Sequence, residues 1–233
     1  MSRILVLSRN RVGRQMSAPG IRALNVARTL VTEVPGAEVT LALPDAGDSP
    51  EGERFAVQFY DARSLPRLLI NSDVIVAQYV RASALPFVIG KRLVLDFFAN
   101  FVAEWLELWL ERPDHPGRIA SMDSNRRYLN LQLSQADLVL AANARQRNLW
   151  LGALAAMGRV TPGAYDADPS LRKLIDVAPF GVRPEPAVQK QRRIKGVIPG
   201  IAEDDFVLIW SGGILHWYDP TTLLQAMALV SRA

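Results

Sequence analysis

The residues best placed to do chemistry lie near the start of the chain. Residues 8–20 form a loop after a first short apolar run, with glycine at Gly13 and Gly20 and with Arg22 just inside the helix that follows. In an open α/β sheet, ligands sit beyond the carboxyl ends of the strands. A helix N-terminus there offers free N–H groups and a favourable dipole to a phosphate. Gly13 and Gly20 allow the backbone to approach such a group closely, and Arg22 adds a fixed positive charge in the first turn. A plain tight turn has the same spacing, so the pattern alone leaves both readings open.

Other chemistries find less support. The Gly-x-Gly-x-x-Gly fingerprint of dinucleotide-binding enzymes is absent, which counts against a nicotinamide or flavin enzyme. Asp45 follows the second apolar run where a ribose-binding acid would lie, but Pro44-Asp45-Ala46-Gly47 reads more simply as a turn. Asp166-Ala167-Asp168 resembles the paired aspartates of metal-dependent sugar transferases, yet Asp168-Pro169 is already explained as the cap and first residue of a helix. With no cysteine and only two histidines, His115 and His216, far apart, no metal is expected. No Gly-x-Ser-x-Gly elbow marks a hydrolase nucleophile. Phe97, Phe101, Trp105 and Trp109 recur every fourth residue beside Glu104, Glu107 and Glu111. That spacing predicts a helix with an aromatic face, which packs in a core or, less simply, walls an acceptor site or touches a membrane.

The elements that must position these residues read as an alternation. Apolar runs at 4–7, 39–43, 74–77, 93–95, 138–141 and 175–178 are separated by helical stretches, which predicts a doubly wound α/β domain on a parallel sheet. Each run is apolar on consecutive residues, as strands covered on both faces are. Ile21, Leu24, Ala27, Val31 and Val34 give one helix an apolar stripe that stops near Pro35-Gly36. Residues 143–157 predict a second helix, and Leu171 and Leu174 a short one begun by Asp168-Pro169. Residues 183–200, rich in proline, glycine and basic side chains, predict a linker between a domain at 1–182 and a new start at 201–233. That new start reads as a strand at 206–210, a glycine turn at Gly212-Gly213 and a helix from Asp219-Pro220, the first βα unit of a truncated second domain.

Composition fits this plan. Hydrophobic residues make up 49% and charged residues 21% of 233, enough for a sizeable core. The net charge of +4 suits an anionic partner, but Lys190, Arg192, Arg193 and Lys195 lack the interleaved aromatics that single-stranded nucleic acid requires, so no nucleic-acid partner is expected. No apolar run has the length of a membrane span or a signal-peptide core. A cytoplasmic protein, with room for peripheral contact at the inner membrane face, is the expectation.

The run from Val12 through Gly13, Gly20, Ile21 and Arg22 to Leu30 is similar to the first loop and helix of bacterial glycosyltransferase family 4. The segments 145–152 and 174–182 also resemble that family, the latter its strand leading toward the interdomain hinge. The resemblance implies a GT-B architecture of two Rossmann-like domains and a retaining, metal-independent enzyme without a cofactor. It would move a sugar from a nucleotide-diphosphate donor to a glycan or lipid-linked acceptor. It implies Gly13, Gly20, Arg22 and Asp96 as cleft residues, and Gly212 and Gly213 as the turn beside the donor diphosphate. Two departures stand out. Gly213 and Asp219 occupy positions where relatives carry basic residues, and the paired donor-holding glutamates have no counterpart before Ala233. The 233 residues alone are therefore expected to lack transferase activity. A nucleotide-sugar epimerase of the same architecture and a non-catalytic binding domain are the alternatives.

Overall fold

The computed structural model describes residues 2–44, 49–110, 112–182, 186, 188–214 and 218–230. Asp45, Gly47, Glu111, Pro184 and His216 therefore lie outside the described residues. The chain divides into two compact units, one of residues 1–102 and 115–180, the other of residues 103–114 and 181–233.

The first unit is an α/β layer structure on a seven-stranded sheet. Its strands are β1 (Arg3–Leu7), β2 (Glu38–Leu43), β3 (Ala56–Phe59), β4 (Val74–Ala77), β5 (Arg92–Phe97), β6 (Leu138–Ala141) and β7 (Ile175–Val177). They lie in the order β3-β2-β1-β4-β5-β6-β7, and every pair is parallel. This is a Rossmann-like doubly wound sheet, and its strand order reverses direction between β1 and β4. All six apolar runs became strands because helices cover both faces and leave no polar side to alternate with. Leu5, Leu41, Ile75, Leu95 and Ile175 are almost wholly enclosed. Each such side chain contributes about 1.5–3 kcal/mol through burial.

The helices are α1 (Ala18–Glu33), α2 (Leu65–Ile70), α3 (Phe101–Leu108), α4 (Gly117–Gln135), α5 (Ala144–Ala156) and α6 (Pro162–Ala167), with a 3₁₀ segment at Ala82–Val88. The stripe on α1 packs Leu24 and Ala27 into the cluster of Ile4, Val6, Val39 and Leu41. The N-terminus of α5 is capped reciprocally, with Gln146 N–H donating to Asn143 Oδ1 at 3.0 Å and Ala142 N–H to Gln146 Oε1 at 3.0 Å.

Two aspartates pin strand register at the amino edge, opposite the ligand-facing edge. Asp73 takes the Arg3 backbone N–H and its guanidinium, both at 2.8 Å, and so ties β4 to β1. Asp137 does the same for β5, accepting Leu93 N–H at 2.8 Å and Arg92 Nη1 at 2.9 Å.

The structure corrects several sequence expectations. The helix expected from Asp168 does not form. Asp168 instead closes α6, its carboxylate accepting from Ser170 N–H, Ser170 Oγ and Lys173 N–H, while Leu171 adopts a left-handed φ of 56°. A proline after an aspartate suits a turn as well as a helix start, and here the local acceptor geometry decides. The aromatic helix begins only at Phe101. Phe97 is the buried last residue of β5, where its ring meets Phe101 edge-on at 5.2 Å.

In the second unit the helix begun by Asp219-Pro220 is present as α7 (Pro220–Val230), with Thr222 N–H and Oγ1 donating to the Asp219 carboxylate. Residues 206–210, read as the strand before it, carry no strand. Among the described residues of this unit no other strand is present to pair with, and an apolar run without a partner gains nothing from extending. Phe206 is 88% and Leu224 65% exposed, and α7 has no buried residue. Among the described residues, no helix is long and apolar enough to cross a membrane.

Candidate functional site

The reversal between β1 and β4 opens a crevice at the carboxyl edge of the sheet. It is a small, half-open recess of about 20 Å³, lined by Ser8 and Arg9 after β1, Pro19 and Ala23 of α1, Gln78 after β4, and Asp96 and Phe98 at the end of β5. Gly20 is held there by necessity of space. A Cβ at Gly20 would stand 2.4 Å from the Arg11 carbonyl oxygen, so only glycine lets α1 start this close to the preceding loop. Ser17 precedes α1 with no side-chain cap, and Pro19 supplies no N–H. The positive end of a 16-residue helix therefore stands beside the crevice. Gly13 lies half-buried in the same loop.

Arg22 and Asp96 meet as a buried pair. Arg22 Nε donates to Asp96 Oδ2 and Nη2 to Asp96 Oδ1, each at 2.7 Å, with both residues under a tenth exposed. Nη2 also donates to the Ala178 carbonyl at 2.8 Å and Nη1 to that of Pro179 at 3.3 Å. The Phe180 and Phe98 rings lie 4.9 and 5.3 Å from the guanidinium carbon. Of five N–H donors only one, on Nη1, is left over. Arg22 thus joins α1, the end of β5 and the chain leaving β7, and Asp96 has both oxygens engaged. This differs from a guanidinium standing free for phosphate, the role its position in the sequence suggested.

Gly212 and Gly213 belong to the second unit, where both are exposed and Trp210 Nε1 donates to the Gly213 carbonyl at 3.1 Å. Asp168, at the expected acidic pair, is held down to about 2 by the donors of Ser170 and Lys173. Among the described residues, no three His, Cys, Asp or Glu side chains lie close enough to share a metal ion.

No protein-family model matches the chain, and no curated protein sequence matches it significantly.

The sequence reading missed a cluster beside the crevice. Arg9, two residues beyond β1, places its guanidinium carbon 3.5 Å from the centroid of Tyr79, two residues beyond β4. Tyr79 meets Tyr128 of α4 edge-on at 5.7 Å. Tyr60, one residue beyond β3, donates its hydroxyl to the Ser8 carbonyl at 2.9 Å. Burial lowers the Arg9 pKa and raises those of Tyr60 and Tyr128, because each loses solvent for its charged form. Gln132 fixes the frame, exchanging two hydrogen bonds of 3.0 and 2.8 Å with the Val80 backbone one turn along α4 from Tyr128. These residues share one signal. Arg9, Tyr60 and Tyr79 stand one or two positions past a strand's carboxyl end, where ligand-facing residues of such sheets collect.

Proposed function

We propose that the chain provides the acceptor side of a sugar transferase of the bacterial glycosyltransferase family 4 kind. It would be retaining and metal-independent, taking a nucleotide-diphosphate sugar as donor and a glycan or lipid-linked molecule as acceptor. The observation that carries this reading is the crevice at the β1/β4 reversal, with an uncapped helix N-terminus on one wall and Gly20 bringing that helix onto the loop. The resemblance of residues 12–30 and 174–182 points the same way. Arg22 fits as a positioning residue, holding the segment that leaves β7 against Asp96, while Gly13 and Gly20 shape the loop and Gly212 and Gly213 form the candidate donor-side turn. Transfer chemistry draws on positioning and on charge stabilisation of the departing nucleotide diphosphate. Cytoplasmic placement, with peripheral contact where the acceptor is lipid-linked, belongs to the same proposal.

A second reading rests on a specific observation. Arg22 and Asp96 satisfy each other, which suits a non-catalytic binding domain as well. One experiment separates the two. The protein, in the longest form its gene encodes, is incubated with uridine and guanosine diphosphate sugars, with and without a cell glycolipid and oligosaccharide fraction. Sugar incorporation that requires the acceptor fraction supports transfer. Release of nucleoside diphosphate and incorporation both remaining at background, with crevice ligands still bound, would decide for the binding domain.

A further inference from the structure

The basic stretch of the second unit has a built surface. From Val188 through Ala202 the sequence holds Lys190, Arg192, Arg193 and Lys195 and no acidic residue. Its second half closes on itself. Val197 and Ile198 N–H both donate to the Ile194 carbonyl, at 3.1 and 2.9 Å, and Gly196 N–H donates to the Ile201 carbonyl at 3.1 Å. Gly196 and Gly200 take left-handed φ angles of 69° and 87°, which let the backbone make these turns.

This winding leaves an open recess of about 420 Å³, lined by Gln189, Gln191, Arg192, Arg193, Lys195 and Glu203. Arg192 engages Glu203. Lys190, Arg193 and Lys195 are exposed and, among the described residues, their side chains make no hydrogen bond or ion pair. Beside these cations Val188 is 76%, Val197 55% and Ile198 45% exposed.

The mixture of charge and apolar surface selects the partner. A nucleic-acid strand would use aromatic side chains for stacking, and the stretch has none. A small soluble anion would be held by the cations alone and would leave the valines and isoleucine in water. An anionic bilayer uses both, because its headgroup phosphates meet the cations while short apolar side chains enter the boundary between headgroups and acyl chains. The aromatic helix α3 carries Glu104 and Glu107, which such a surface repels.

We propose that residues 188–201 dock the protein on an anionic lipid surface. Arg193 and Lys195 hold a phosphodiester headgroup at the recess, and Val197 and Ile198 enter the interface. The surface stands whether or not the crevice transfers sugar; only the further clause that a lipid-linked acceptor lies in the same bilayer rests on that reading.

The test is co-sedimentation with vesicles of phosphatidylcholine alone and of phosphatidylcholine mixed with phosphatidylglycerol, at low and high salt, with folding of each variant checked by circular dichroism. Binding to the mixed vesicles alone is expected, and it should fall as salt screens the contact. Arg193→Ala/Lys195→Ala is expected to weaken it about tenfold or more. Arg63→Ala/Arg67→Ala removes the same charge from exposed positions of the first unit and is expected to bind like the wild type. Val197→Ser/Ile198→Ser should weaken binding severalfold and leave its salt dependence unchanged. No binding to the mixed vesicles, equal binding to both kinds, or equal losses in the two charge variants would overturn the proposal. Wild-type binding in the serine variant, or equally tight binding of single-stranded DNA, would mark a general polyanion surface and overturn it as well. Vesicle binding by a protein that transfers no sugar supports the docking surface and removes only the acceptor clause.

Discussion

At the scale of single residues, Arg22 and Asp96 are the pair on which most depends. Breaking a buried, doubly hydrogen-bonded ion pair from one side leaves the other charge enclosed and unmatched, at a cost of about 3–5 kcal/mol. Arg22→Ala should therefore destabilise the fold by about that amount in urea unfolding, and Asp96→Ala by a similar one. The double variant should lose clearly less than the sum, because the second change removes the stranded partner. Additive losses would mean that the two side chains do not act together. Position after a first strand identified Arg22 as important, but nothing in the sequence placed Asp96, 74 residues away, on its guanidinium. Gly20→Ala should cost about 1–3 kcal/mol, since the new Cβ would meet the rigid Arg11 carbonyl. A melting temperature unchanged in Gly20→Ala would show that the loop yields freely.

At the scale of elements, strand register carries a pH signature. The Arg3 side chain and backbone hold the Asp73 carboxyl at about 2, below its ordinary 3.8. As pH falls, the unfolded chain takes up this proton first, so the pair's contribution is fully present above 3.8 and is lost as pH approaches 2. Arg3→Ala should flatten the fall of stability over that window in acid titrations of unfolding. An identical slope in the variant would show that β1 and β4 are not coupled through this pair.

The legibility of the elements follows from what each one buries. Strands β1, β4, β5 and β6 announced themselves as unbroken apolar runs, and β2 and β7 as runs broken once, by Thr40 and Asp176. Edge strand β3 did not, because Ala56 and Gln58 are as exposed as Phe59 and the run is mixed. Helix α4 went unread because only Leu129, Gln132 and Leu133 are buried along its 19 residues, too few to print an apolar stripe. Residues 206–210 show the reverse error, for an apolar run predicts a strand only where a partner strand exists.

At the scale of the whole molecule, the strand order assembles what the sequence scatters. Arg9, Tyr60, Tyr79 and Tyr128 span 120 positions, and no motif search would join them. The β3-β2-β1-β4 order sets three of them along one edge, and the crossover through α4 supplies the fourth. The crevice exists for the same reason, since connections leave β1 and β4 toward opposite sides. The second unit, by contrast, exposes Phe206, Ile214, Leu224 and Val230.

The central claim is that sugar transfer takes place at the β1/β4 crevice. Its most direct measurement is the initial rate of acceptor-dependent sugar transfer in the wild type and in Ala23→Phe, whose ring would fill the crevice from α1, with folding of both checked by circular dichroism. The account predicts transfer by the wild type and a loss of at least tenfold in the folded variant. Transfer at the wild-type rate in folded Ala23→Phe would contradict it.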